Sequence, residues 1–110
     1  AGFISKYKSK VWASDCFSII PKHEMICNDY LYYYLKNIQG NVYELQSGSA
    51  QPHVYSKDIA LLKIPVPSLE RQNKIIKSLD EHNKTIESMK SSFKLYKQNA
   101  SEILNSLLSQ

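Results

Sequence analysis

Glycine is scarce in this chain. The three glycines among 110 residues, Gly2, Gly40 and Gly48, are too scattered to form a phosphate-cradling loop. Cysteine is scarcer still: Cys16 and Cys27 have no metal-ligand spacing and no third partner, so the pair reads as free thiols of a reducing cytoplasm. No apolar run approaches the ~18 residues that would cross a bilayer. The opening AGFISKYKSK lacks the long apolar centre of a signal peptide. Carboxylates are not paired in an apolar setting, and no Cys/His cluster has zinc spacing. The sequence therefore offers no support for catalysis, and neither a cofactor nor a metal is expected. Acidic side chains are outnumbered 10 to 14, giving a net charge of +4 and a pI of about 9.0. That balance permits a polyanionic partner without demanding one.

What is present is unevenly divided. Apolar content of 43% and charged content of 22% fit a folded chain, one domain whose core buries about 60–65% of the chain's surface at best. Residues 1–67 hold seven of the eight tyrosines, the one tryptophan and all four prolines, whereas residues 68–110 hold neither Pro nor Gly. Gly2–Tyr7, Asp15–Ile20 and Leu61–Val66 read as short strands, the last confined to an edge because Pro65 cannot donate to a ladder. Asn28 or Asp29 would cap a helix over Tyr30–Ile38, and Gly40 falls where its C-cap belongs. A second short helix follows over Asn41–Gln46, and Ser56 opens another. The expected class is α+β: a small mixed unit over residues 1–67, then one long helix over 68–110.

That helix carries the sharpest pattern. Ile75, Leu79, His82, Ile86, Met89, Phe93, Tyr96, Ala100, Ile103 and Leu107 follow alternating steps of four and three, an unbroken heptad seam. A helix from Ser68 to Leu108 would be about 60 Å long and would need a partner helix to cover the stripe. Aromatics, a histidine and an alanine in the seam suit an antiparallel coiled coil, where large and small layers alternate, better than a Leu-rich parallel zipper.

The stretch Ile64-Pro-Val-Pro-Ser-Leu-Glu-Arg-Gln-Asn-Lys-Ile-Ile76, with Gly48-Ser49-Ala50-Gln51 upstream and the heptad helix downstream, resembles the DNA-specificity subunit of type I restriction–modification systems. The residues that carry the likeness are Gly48, Ser49, Gln51, Ile64, Pro65, Pro67, Leu69, Gln72 and Ile75, together with the Asn28-Asp-Tyr-Leu-Tyr-Tyr-Tyr-Leu helix. Arg71 departs from it, standing where an acidic residue is common. The resemblance implies part of one target recognition domain joined to a spacer helix. It also implies double-stranded DNA as a partner, along with methyltransferase and restriction subunits. The helix would pair either with a second specificity half or with itself in a homodimer. A full subunit of that family carries two recognition domains and two helices, so this chain matches a portion.

Within that frame the DNA candidates are Lys6, Lys8 and Lys10, which alternate along an expected strand and so share a face. They would either touch phosphate or simply solvate the sheet. The turn Gly48–His53 offers Ser49, Gln51 and His53, with Gln51 able to pair two-pronged with adenine or else to serve the turn itself. Lys57 and Lys63 flank it. Tyr30, Tyr32, Tyr33 and Tyr34 are read as helix packing rather than base stacking. Two functions stay open: a specificity half-subunit, or a protein-interaction module derived from one, with little DNA binding of its own.

Overall fold

The computed structural model describes residues 1–22, 24–48 and 50–109. Among these residues there are four helices, α1 (Asn28–Asn37), α2 (Gln39–Glu44), α3 (Ser56–Ile59) and α4 (Leu69–Leu108). The described residues contain no strand. One isolated antiparallel bridge joins Ser47 to His53, each backbone N–H donating to the other's carbonyl at 2.8 Å. The expected α+β class is therefore overturned: the fold is helical with extended connections.

The reason is visible in where the backbone groups of the expected strands go. Gly2–Tyr7 does alternate in burial, with Gly2, Ile4 and Lys6 turned inward. Its partners, however, are side chains. Ile4 N–H donates to Gln39 Oε1 at 2.9 Å, Lys36 Nζ donates to the Ile4 carbonyl at 2.9 Å, and Gln39 Nε2 donates to the Gly2 carbonyl. Gln46 Nε2 holds the Ala1 carbonyl at 2.8 Å. With these groups satisfied, the segment needs no ladder. In Asp15–Ile20, Asp15 takes a left-handed φ of 52°, outside the extended region, and every residue is exposed. In Leu61–Val66 the Pro65 carbonyl accepts Tyr30 Oη at 2.6 Å, leaving neither donor nor acceptor at that residue for a neighbouring strand.

The helices begin and end for local reasons. The N-cap of α1 is Cys27 rather than Asn28 or Asp29; its carbonyl accepts Leu31 N–H at 3.0 Å. Asp29 lies in the first turn and Lys36 in the last, each favourable to the helix dipole. Ile38, at φ −99° and ψ 23°, breaks α1 from α2. Gly40, expected as the C-cap, lies inside α2 instead.

The chain divides into two compact units, Ala1–Ile76 and Lys77–Gln110, with the boundary inside α4. In the first, Tyr30, Leu31 and Leu35 of α1 and Val42 of α2 form the buried apolar core. Gly2, at φ +87°, lets the N-terminal segment lie close on it: a Cβ there would meet Val54 Cγ2 at 3.0 Å and Val42 Cγ1 at 3.3 Å. The second unit is the remainder of α4.

Candidate nucleic-acid interface

The passage from residue 65 into α4 is fastened by two side chains. Gln72, in the first turn of α4, is 0% exposed. Its Oε1 accepts Cys27 N–H at 2.8 Å, and its Nε2 donates to the carbonyls of Met25 at 2.7 Å and Pro67 at 2.8 Å. A buried amide with both ends engaged is fully satisfied, and it ties the helix opening to the residues that lead into α1. Tyr30 completes the joint through its bond to Pro65. Desolvation by burial, followed by the neighbouring Tyr34, raises the Tyr30 phenol above its ordinary pKa, so its proton stays to be donated. The motif Pro65-x-Pro67 and the motif glutamine thus meet in one hydrogen-bonded corner. The chemical reason for Gln72 is not visible in the sequence, because its partners at Met25 and Cys27 lie more than forty positions away.

The candidate DNA contacts fall into different surroundings. Lys6 pairs with Asp29 at 2.8 Å with its side chain 19% exposed, and it lies 5.2 Å and 5.6 Å from the Tyr32 and Tyr33 ring centres. Lys8 and Lys10 are exposed in a segment without secondary structure. Ser49 lies outside the described residues. Beside it Gly48 turns the chain at φ +106°, where a Cβ would press on the Gln51 carbonyl at 3.0 Å. Gln51 is exposed, His53 is half-buried in the bridge to Ser47, and Lys57 and Lys63 are exposed.

The structure brings His53 and Lys57 together through a residue that sequence reasoning passed over. Tyr55 has its ring 6.2 Å from that of His53, and Lys57 Nζ lies 5.8 Å from its centre. Histidine, half-exposed tyrosine and lysine form a row with an aromatic face and a cation, a composition suited to a phosphate-bearing partner. The alternation His53-x-Tyr55-x-Lys57 is the signal that could have found it.

Along α4 the seam is laid bare. Met89, Phe93, Tyr96, Ile103 and Leu107 are all more than half exposed, with Tyr96 at 69%. Ile75, His82 and Ala100 are also exposed, and Leu79 and Ile86 are half-buried. Tyr96, Asn99, Ala100, Ile103, Leu104 and Leu107 line a shallow apolar groove on the last third of the helix. Among the described residues no group of three His, Cys, Asp or Glu side chains is placed to hold a metal ion, and no helix is long and apolar enough to cross a membrane. Cys16 is exposed and Cys27 half-buried, both free thiols.

Comparison with known proteins gives this arrangement a context. Residues 2–94 match the family described as "Type I restriction modification DNA specificity domain". The type I restriction enzyme MjaVIII specificity subunit of Methanocaldococcus jannaschii is 31% identical over 86 residues. The aligned region is 78% of this chain and 20% of that relative, so the chain spans about one fifth of the curated relative's length. No solved structure matches.

Proposed function

The chain belongs to the type I restriction–modification DNA specificity family, and from that premise we propose that it is part of a DNA-recognition subunit working in the cytoplasm. Residues 1–67 act as part of a target recognition domain on double-stranded DNA. The long helix pairs with a counterpart helix and offers a surface on which methyltransferase and restriction subunits assemble. The chain itself performs no catalysis in this reading; methyl transfer and strand cleavage belong to those partners.

The observation that carries the reading is α4: forty helical residues, a continuous heptad seam, and Gln72 as the one buried side chain among those described. Large apolar groups such as Phe93, Tyr96 and Leu107 left in water mark a surface made to be covered. On the first unit, Gln51 presents an exposed amide to a base edge, the row His53–Tyr55–Lys57 lies along the backbone, and Lys8, Lys10 and Lys63 add phosphate contacts. Lys6, drawn onto Asp29, contributes by holding the N-terminal segment in place.

The test is sedimentation equilibrium of the chain, alone and with a random-site duplex at low and high salt. A dimer that takes up DNA at low salt and releases it at high salt supports the proposal, because each neutralised phosphate lowers log K by about 0.9 per unit of log salt concentration. A dimer indifferent to DNA at both salts would move the function to protein interaction alone. A monomer indifferent to DNA would remove both parts.

A further inference from the structure

Resting on the DNA reading above, we propose that Trp12 is a base-stacking wedge. Its indole enters duplex DNA at an opened base step while Lys8 and Lys10 hold the phosphates beside it. The indole is 98% exposed, more than any other large apolar side chain described. A tryptophan normally lies mostly inside a fold, because it withdraws so much apolar area from water. Here the core is made by Tyr30, Leu31, Leu35 and Val42, and the indole stays outside it.

The fastening of the N-terminal segment explains the exposure. Polar anchors hold it as far as Lys6, whose ammonium is tied to Asp29 at 2.8 Å. Inward and outward residues alternate up to that point, and from Tyr7 to Ile20 every residue is exposed. Among the described residues no hydrogen bond or ion pair engages Lys8, Lys10 or Trp12. Lys6 is therefore the last fixed point before the wedge. It positions the stretch that follows.

Charge sets the chemistry of the partner. Residues 1–14 carry three lysines and no acidic side chain. Asp29 neutralises Lys6, which leaves the charges of Lys8 and Lys10 uncompensated within four residues of the indole. An apolar protein surface would call for the aromatic without two free cations beside it. An acidic surface would call for the cations without a bare indole. A base flanked by phosphates calls for both.

Stacking needs the face of a base, which a closed duplex covers. Insertion therefore takes place where a step opens, and the cost is least at flexible pyrimidine–purine steps. Val11, 50% exposed, adds apolar surface beside the indole. Trp12 would thus read how easily a site deforms, whereas the exposed amide of Gln51 reads a base edge.

Because the chain has one tryptophan, indole fluorescence reports on this side chain alone. The chain is titrated at low and high salt with two random-sequence duplexes, one intact and one with a central abasic site, where stacking is already broken. The expected result is quenched indole emission on both duplexes and tighter binding to the abasic one. Trp12→Ala should weaken that binding by about 5- to 150-fold, the loss of one base–aromatic stack, and Trp12→Phe should recover most of it. Replacing Lys8 and Lys10 together by Ala should reduce the salt slope by about 1.8, the share of two phosphates. The thermal melt of Trp12→Ala should match that of the unsubstituted chain; a lower melt would put the indole in the fold and overturn the wedge. Salt-dependent binding with unmoved emission, with equal affinity for the two duplexes, or with Trp12→Ala binding as before, would overturn it while leaving the DNA reading standing. Emission that moves to the blue as the chain alone is concentrated would assign the indole to a protein contact and overturn it too. Absence of binding at both salts would remove the wedge and the DNA reading together.

Discussion

Replacing Gln72 by Ala should unfold the first unit at a much lower temperature. The substitution removes three hydrogen bonds of 2.7–2.8 Å from a fully buried site and leaves the Cys27 N–H and the carbonyls of Met25 and Pro67 without their partner. At about 1 kcal/mol net for each bond, the loss is about 3 kcal/mol. For a unit of this size that corresponds to a fall in Tm of about 12–24 °C. Near-ultraviolet circular dichroism is the right readout, since seven of the eight tyrosines precede residue 68, while the far-ultraviolet signal is dominated by α4. Gln72→Glu sharpens the test. Its carboxyl can still accept from Cys27 but sets an oxygen against two carbonyl oxygens, so the folded state would hold it protonated, above the ordinary value of about 4.3. The folded form then binds more protons than the unfolded one between that value and the raised one. Stability must therefore fall as pH rises through the window. Gln72→Glu should be closer to the unsubstituted protein at pH 5 than at pH 8, while Gln72→Ala shows no such trend. A fall of less than about 1 kcal/mol in Gln72→Ala would refute the idea that this amide fastens the joint.

Gly40→Ala should stabilise the first unit by about 0.5–1 kcal/mol, because Gly40 sits inside α2 and an added Cβ meets no atom within 4 Å; a thermal melt that falls instead would contradict the helical placement. Tyr30→Phe should lose about 0.5–1.5 kcal/mol with the bond to Pro65. In alkaline titration followed by tyrosinate absorbance, the unsubstituted chain should show one late-ionising tyrosine that Tyr30→Phe lacks. Because the folded phenol holds its proton above the ordinary value of about 10, stability is complete below that pH and is lost as pH climbs past it, a loss absent in the variant.

Periodicity and punctuation made the helices legible. The seam marks the body of α4, the end of the Pro65–Pro67 stretch puts its start within one residue of that observed, and Ser56 marks the opening of α3. The extended segments look like strands in the sequence and are not, for a non-local reason. Alternation in Gly2–Tyr7 is real, but a strand is defined by its partner, and the partners here are the side-chain amides of Gln39 and Gln46 and the ammonium of Lys36. Nothing about a glutamine in a helix announces that it will stand in for a neighbouring strand. Gly40 misleads because glycine's freedom reads as a stop, whereas Ile38 supplies the break. At the candidate interface, residue types identify His53 and Lys57 individually, while the ring of Tyr55 joins them in the fold, a link whose sequence trace is only their alternate spacing.

The corner at residues 64–68 also governs what this protein avoids. An extended stretch of Ile, Pro, Val and Pro at the surface of a small helical unit is the kind of edge on which chains zip together into aggregates. Pro65 and Pro67 have no amide hydrogen to give an incoming strand, and their carbonyls are already held by Tyr30 and Gln72. The two side chains that fasten the joint thus also mask it, and loosening either one would uncover a sticky edge as well as a hinge.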